Sequence, residues 1–285
     1  MKYAANTLLW TASFDGSHLG LLDQISSWGF DGVEIARFSF DDFPAAEVRR
    51  AVQDSGLECT FCSALTADLN LVSDDAVTRR RAAEFLRRGI ACTAEIGAEI
   101  FVGPFCAPVG YLPGRRRNQD EWKWAVDELQ ALGPVLNAHG VTLAIEPLNR
   151  FETYFLNTAE DGLRLVSDVN HPKIGILCDT FHANIEEKSV AGAYRLLGSQ
   201  LKHVHACEND RGTPGSGHVE WREVMEALLE IQYEGWIAIE SFASAVKEIA
   251  AATCIWRDLA PSSEALARDG IRFLKSLEGA AGVAV

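Results

Sequence analysis

Four side chains able to ligate a metal or move a proton close short apolar runs. Glu146 ends VTLAIE, Asp179 ends GILCD, His205 lies near the end of KHVHA, and Glu240 ends IAIE. Carboxylates brought to one spot cannot all stay ionised without a cation between them. An Asp/Glu/His set dominated by oxygen donors suits a divalent ion such as Mn2+, Mg2+ or Co2+. Zinc would more often recruit further nitrogen or sulfur ligands. Two glutamates on one metal suggest proton transfer beside a carbonyl. One carboxylate removes the hydrogen next to a polarised C=O, leaving an enediolate, and the other returns a proton on the opposite face. Glu146 and Glu240 are the expected pair. Any one of the four, taken alone, reads equally well as a capping or salt-bridging residue; the convergence of all four is what favours a site.

Other polar residues carry weaker signals. His203 shares a strand face with His205 but lies one layer deeper, and is read as a hydrogen-bonded core histidine. His182, in DTFHANIEE, lies three residues after Asp179, beyond the strand end, and can face the same pocket. Arg211, in ENDRGTPGSGH, and Glu152, after PLNRF, each read on their own as surface ion-pairing residues. Glu34 ends the second run, where a supporting role is favoured over direct catalysis. His218 is read as a loop-packing residue. Cys59 and Cys62 form a CxxC, but in an extended run residues three apart face opposite sides, which argues against a shared metal or redox role.

The elements that must position these residues alternate along the whole chain. Strand-like runs fall at Tyr3–Leu9, Gly32–Ala36, Glu58–Ala64, Glu99–Pro104, Thr142–Glu146, Ile174–Asp179, Lys202–Ala206 and Trp236–Glu240. Between them lie segments with apolar residues at three- and four-residue spacing, several stopping at glycine. Eight such units in 285 residues predict a single (β/α)8 TIM barrel over 1–285. A doubly wound sheet is the second choice, but no glycine-rich phosphate loop follows the first strand. In a barrel the ends of the strands form the active face, where the four residues gather. The irregular stretch 106–118 would overhang that face, with Arg115–Arg117 as a solvated charge run, and a short tail is expected after about residue 277.

With 26 Lys and Arg against 40 Asp and Glu, the net charge is −14. Such a surface repels phosphate backbones and anionic bilayers, so neither nucleic acid nor membrane is an expected partner. A small neutral or cationic substrate fits. Seven scattered cysteines, several within apolar runs, suit a reducing, cytoplasmic compartment. The N-terminal apolar stretch is too short for a secretory signal, and no run reaches membrane-spanning length.

EPLNRFETYFLNT, CDTFHANIEE, HVHACENDRGTPGSGHVEW and IAIESF resemble, in order, the ketose 3-epimerases of the D-tagatose 3-epimerase and D-psicose (D-allulose) 3-epimerase group. These belong to the xylose-isomerase-like sugar phosphate isomerase/epimerase barrels. The likeness runs from GFDGVEI to IWRD and is densest from Val141 to Phe242. It implies epimerisation of free ketoses at C3, a homodimer or homotetramer, and a divalent metal, usually manganese, on Glu146, Asp179, His205 and Glu240. It implies that Glu146 and Glu240 are the acid/base pair. It also implies that Glu152, His182 and Arg211 hold the oxygens around C1 to C3, which moves those three from surface readings to substrate contacts. Two departures fall where the family contacts C4 to C6. Asn6 and Thr7 stand where aromatic residues are usual, and FCAPVG carries Pro108 where a tryptophan is common.

Three rival readings share parts of this pattern. A metal-dependent aldose–ketose isomerase would use the same metal site and return the proton to a neighbouring carbon. An AP-endonuclease-like phosphodiesterase would need more histidines and a basic surface. A non-catalytic sugar-binding barrel would have no use for two opposed glutamates.

Overall fold

The computed structural model describes residues 1–281. Eight strands follow the chain: β1 (Lys2–Asn6), β2 (Gly32–Ala36), β3 (Glu58–Cys62), β4 (Ile100–Gly103), β5 (Thr142–Ile145), β6 (Ile174–Asp179), β7 (Leu201–Ala206) and β8 (Trp236–Ile239). Each pairs in parallel with the next, and β8 pairs with β1, so the sheet closes into a barrel in sequence order. Helices separate the strands, as the TIM-barrel reading requires. The last helix, Ser263–Ala281, runs past residue 277; the end of the tail expected there lies outside the described residues.

Two apolar layers hold the barrel. The larger lies between strands and helices and includes Ile35, Phe61, Phe101, Ile145, Ile176 and Val204. Tilted ring contacts link Phe40, Phe61, Phe101 and Phe105, with Phe101 and Phe105 centroids 4.6 Å apart. The smaller layer includes Ala36, Cys62, Val102, Ala144 and Leu177. Each large apolar side chain fully buried in this way contributes about 1.5–3 kcal/mol. At the end of β4, Gly103 has φ +146, and a Cβ there would lie 1.9 Å from the Ser63 carbonyl oxygen. Only glycine admits that approach.

Several runs end earlier than their apolar pattern suggests. The first stops at Asn6, whose side-chain oxygen accepts from the Leu8 N–H at 2.9 Å and caps a 3₁₀ turn over Thr7–Leu9. Glu146 and Glu240 lie one residue past β5 and β8, with the Glu146 N–H still donating to the Gly103 carbonyl of β4 at 2.9 Å. WKWAVDELQALGPVLNAHG makes two helices, Gln119–Gln130 and Gly133–His139, because Pro134 cannot continue the first and suits the opening turn of the second.

The 106–118 loop is more tightly held than a solvated run. Cys106, Ala107 and Pro108 are buried, and the Gly110 N–H donates to the Glu152 carbonyl at 2.7 Å. Arg115 makes a bidentate pair with Glu121 at 3.0 and 2.7 Å. Arg117 pairs with Asp161 at 2.8 and 2.5 Å and donates to the Phe155 carbonyl at 2.6 Å. Arg115–Arg117 is therefore not simply a solvated charge run: its outer two members clamp the loop to neighbouring segments.

Candidate active site

Glu146, Asp179, His205 and Glu240 meet at the C-terminal mouth of the barrel. All four are buried, and each offers a ligand atom such that the set lies within 4.8 Å. His205 Nδ1 is 3.8 Å from Glu146 Oε1 and 3.3 Å from Glu240 Oε2. Asp179 caps the helix Thr180–Glu186: its Oδ1 accepts from the Phe181 N–H at 2.6 Å, leaving Oδ2 to face the centre.

The donor set fits a divalent cation. Glu146 Oε1 and His205 Nδ1 are buried without a hydrogen-bond partner, and both face the cluster. Orphaned buried polar atoms are costly, and a cation between them would satisfy both. Three carboxylates and one imidazole match a hard, oxygen-preferring ion.

The electrostatics separate the two glutamates. Burial pushes the Glu146 carboxyl well above the usual carboxylate range, with Glu240 and Asp179 adding to the effect against the pull of His205. Burial would raise Glu240 as well, but His205 and Arg211 beside it hold it below its ordinary value. Burial opposes charging His205, yet Glu240 and Glu34 raise its pKa well above the usual histidine range.

Arg211 reaches into the same centre. It is buried, with a left-handed backbone (φ +68). Its Nη1 donates to Asp179 Oδ2 at 2.5 Å and to Glu240 Oε2 at 3.1 Å. The guanidinium sits 4.2 Å from the Phe181 ring centroid and 4.9 Å from that of Phe242. The surface reading of Arg211 thus fails: its loop turns it inward. Glu208, fully buried, shapes that loop by accepting from Gly215 N–H at 2.8 Å and Trp221 Nε1 at 2.6 Å.

His182 lies beside it, Nε2 3.7 Å from Glu146 Oε1. Burial, then Arg211, keep it neutral. The Asn149 backbone N–H donates to its Nδ1 at 3.1 Å, so Nε2 carries the proton. Arg211 Nη2 lies 3.0 Å from that Nε2, donor against donor. One oxygen accepting from both would relieve the clash. Glu152 is half-buried at the edge, its Oε1 accepting from Asn149 Nδ2 at 2.8 Å. Burial raises its pKa. Asn149 thus joins Glu152 to His182; its place inside EPLNRFE was the signal that sequence reasoning passed over.

Beneath the mouth, Glu34 is fully buried and accepts from His205 Nε2 at 2.7 Å, Asn6 Nδ2 at 2.9 Å and Thr60 Oγ1 at 2.8 Å. His203 Nε2 approaches Glu34 Oε2 at 2.8 Å, off the line of a directed hydrogen bond. Burial alone would raise the Glu34 pKa, but His203 and His205 hold it well below the carboxylate range. Asn6 and Thr7 are fully buried and engaged, Thr7 Oγ1 accepting from the Ala36 N–H at 2.9 Å. His218 is exposed instead of packing its loop. Cys59 bonds outward to the Ile96 carbonyl while Cys62 contacts Asn6, on opposite faces as the spacing implies. All seven cysteines are free, six of them buried. Among the described residues no helix is long and apolar enough to cross a membrane.

Comparison with known proteins places this geometry. The xylose isomerase-like TIM barrel family matches residues 22–277. A Synechocystis sp. protein named "Probable ketose 3-epimerase" is 38% identical over 275 residues, covering 96% of each chain. A D-psicose 3-epimerase of Ruminiclostridium cellulolyticum is 30% identical, covering 93% of this chain and 92% of its own. The structure of D-allulose 3-epimerase from Methylomonas sp. in complex with D-allulose superimposes with a TM-score of 0.92 at 27% identity, covering 97% of this chain and 96% of that one. The chain belongs to the xylose isomerase-like TIM barrel family, among its ketose 3-epimerases.

Proposed function

We propose that the protein interconverts free ketoses at C3 by proton transfer between two glutamates, with a divalent cation on Glu146, Asp179, His205 and Glu240. The observation that carries this is the pairing of Glu146 and Glu240, brought together from non-adjacent strands to 3.8 and 3.3 Å from the same His205 Nδ1. Two carboxyls at one point, one to take a proton and the other to return it, are what an acid/base pair needs.

A bound cation, manganese by preference with cobalt or magnesium as alternatives, would supply Lewis-acid polarisation of the ketose carbonyl. The protein's own groups do the rest. The ionised glutamate takes the C3 hydrogen, leaving a cis-enediolate. The protonated glutamate delivers a proton to the opposite face of C3, and the two exchange roles in reverse. His182 Nε2 and Arg211, two donors aimed at one place, hold a substrate oxygen. Glu152, its pKa raised by burial, stands at the edge to hydrogen-bond a second. The burial of every one of these groups except the half-buried Glu152 keeps solvent from competing for the proton.

Incubation of manganese-loaded protein with D-fructose, D-tagatose, L-ribulose and D-psicose, followed by chromatography, tests this reading. A C3 epimer from at least one ketose is the expected product. An aldose in its place would establish an aldose–ketose isomerase on the same site, and no product from any of the four would overturn the substrate class.

A further inference from the structure

We propose that Glu34 is a positioning residue that fixes His205 with Nε2 protonated and Nδ1 aimed at Glu146, Asp179 and Glu240, and so sets the cation affinity of the cluster. This rests on the reading that the cluster binds a divalent cation.

Strand register builds the device. Asn6 on β1 aligns with Glu34 on β2, and Glu34 with Thr60 on β3. The two flanking side chains donate to different Glu34 oxygens, Asn6 to Oε1 and Thr60 to Oε2. His205, reaching across the barrel from β7, puts Nε2 2.7 Å from Oε1. A carboxylate anchored from three strands can neither rotate nor retreat. Being acceptor-only when ionised, it requires the proton of His205 on Nε2. Nδ1 is then the nitrogen that faces Glu240 at 3.3 Å, without a directed hydrogen bond. The His203 ring stands nearly perpendicular to His205 (83°, centroids 5.3 Å apart) and limits its tilt.

Glu34, His203 and His205 also have the composition of a metal site. Their geometry argues otherwise. Asn6 and His205 already fill Glu34 Oε1, and Thr60 donates to Oε2, so most of the carboxylate's acceptor capacity is spent within the protein. The group is a hydrogen-bonded support for the cluster above it.

A carboxylate that orients a metal-bound histidine typically changes metal affinity by about 10–100-fold. The test measures the manganese Kd of wild-type protein and Glu34→Gln by electron paramagnetic resonance of the free ion, with circular dichroism as the control for folding. Glu34→Gln is expected to stay folded and to raise Kd by about 10–100-fold. A Kd within about twofold of wild type would overturn the proposal while leaving the cation reading intact. Wild-type protein that takes up no manganese would overturn both. Should Glu34→Gln fail to fold, 15N NMR of histidine-labelled, magnesium-loaded wild-type protein decides. His205 protonated on Nε2, with Nδ1 bare of hydrogen, is expected; a proton on Nδ1 would overturn the assignment.

Discussion

Glu146 and Glu240 follow strands three places apart in the barrel, yet His205 Nδ1 stands 3.8 Å from one and 3.3 Å from the other. One imidazole thus spans both carboxylates. In the metal-free protein, burial raises the Glu146 pKa, whereas His205 and Arg211 hold that of Glu240 below its ordinary value. Two chemically identical side chains thus differ in proton affinity before any cation binds.

Glu146→Gln and Glu240→Gln should each lower kcat by about 10²–10⁴-fold, the usual worth of a positioned acid or base. The amide keeps the shape, so circular dichroism should be unchanged. Near-normal turnover in either variant would show that one glutamate suffices.

Arg211→Ala removes the only cation hydrogen-bonded to Asp179 and Glu240 among the described residues. Breaking a buried ion cluster costs about 3–5 kcal/mol. For a chain of this size the metal-free Tm should fall by on the order of 10 °C. Manganese should narrow the gap, since it would neutralise the same carboxylates. Thermal melts with and without manganese measure both effects; an unchanged Tm in metal-free protein would show that the pairs contribute little.

Manganese affinity should rise with pH, with protons released on binding. The sign follows from the metal-free state. Glu146 and His205 both have pKa values well above their ordinary ranges, so each holds a proton that the cation must displace. As pH falls those protons are held more firmly and affinity drops. Calorimetry in buffers of different ionisation enthalpy counts the protons. A pH-independent affinity with none released would contradict the assignment of these two residues as ligands.

Gly103→Ala should prevent folding or lower stability by more than about 3 kcal/mol. Its Cβ would lie 1.9 Å from the Ser63 carbonyl, and φ +146 excludes side chains regardless of space. Expression and chemical denaturation test this; a variant with wild-type stability would mean that the β3–β4 junction can open.

Much of the barrel was legible in the sequence because each strand is a short apolar run ending in a polar residue, and each helix carries its own period. Glu146, Asp179, His205 and Glu240 stood out for the same reason: a charge at the end of a buried run needs an explanation. What the sequence hid depends on distance in space. The Glu34 network is set by register between β1, β2 and β3 and by a histidine from across the barrel. Asn149 looks like any loop asparagine until His182 is placed beside it. Arg115 and Arg117 read as solvated because Glu121 and Asp161 become their partners only once the following helices pack. The end of the first run was missed because an Asn cap, not a loss of hydrophobicity, stops the strand.

If Glu146 and Glu240 move a proton at C3, solvent isotope exchange will register it. Manganese-loaded protein in D2O would be given each candidate ketose and the sugars followed by NMR. Deuterium should appear at C3 of the epimer from the first turnovers and be absent with Glu146→Gln or Glu240→Gln. An epimer formed with its C3 hydrogen wholly retained, or deuterium placed at C1 of an aldose, would contradict it.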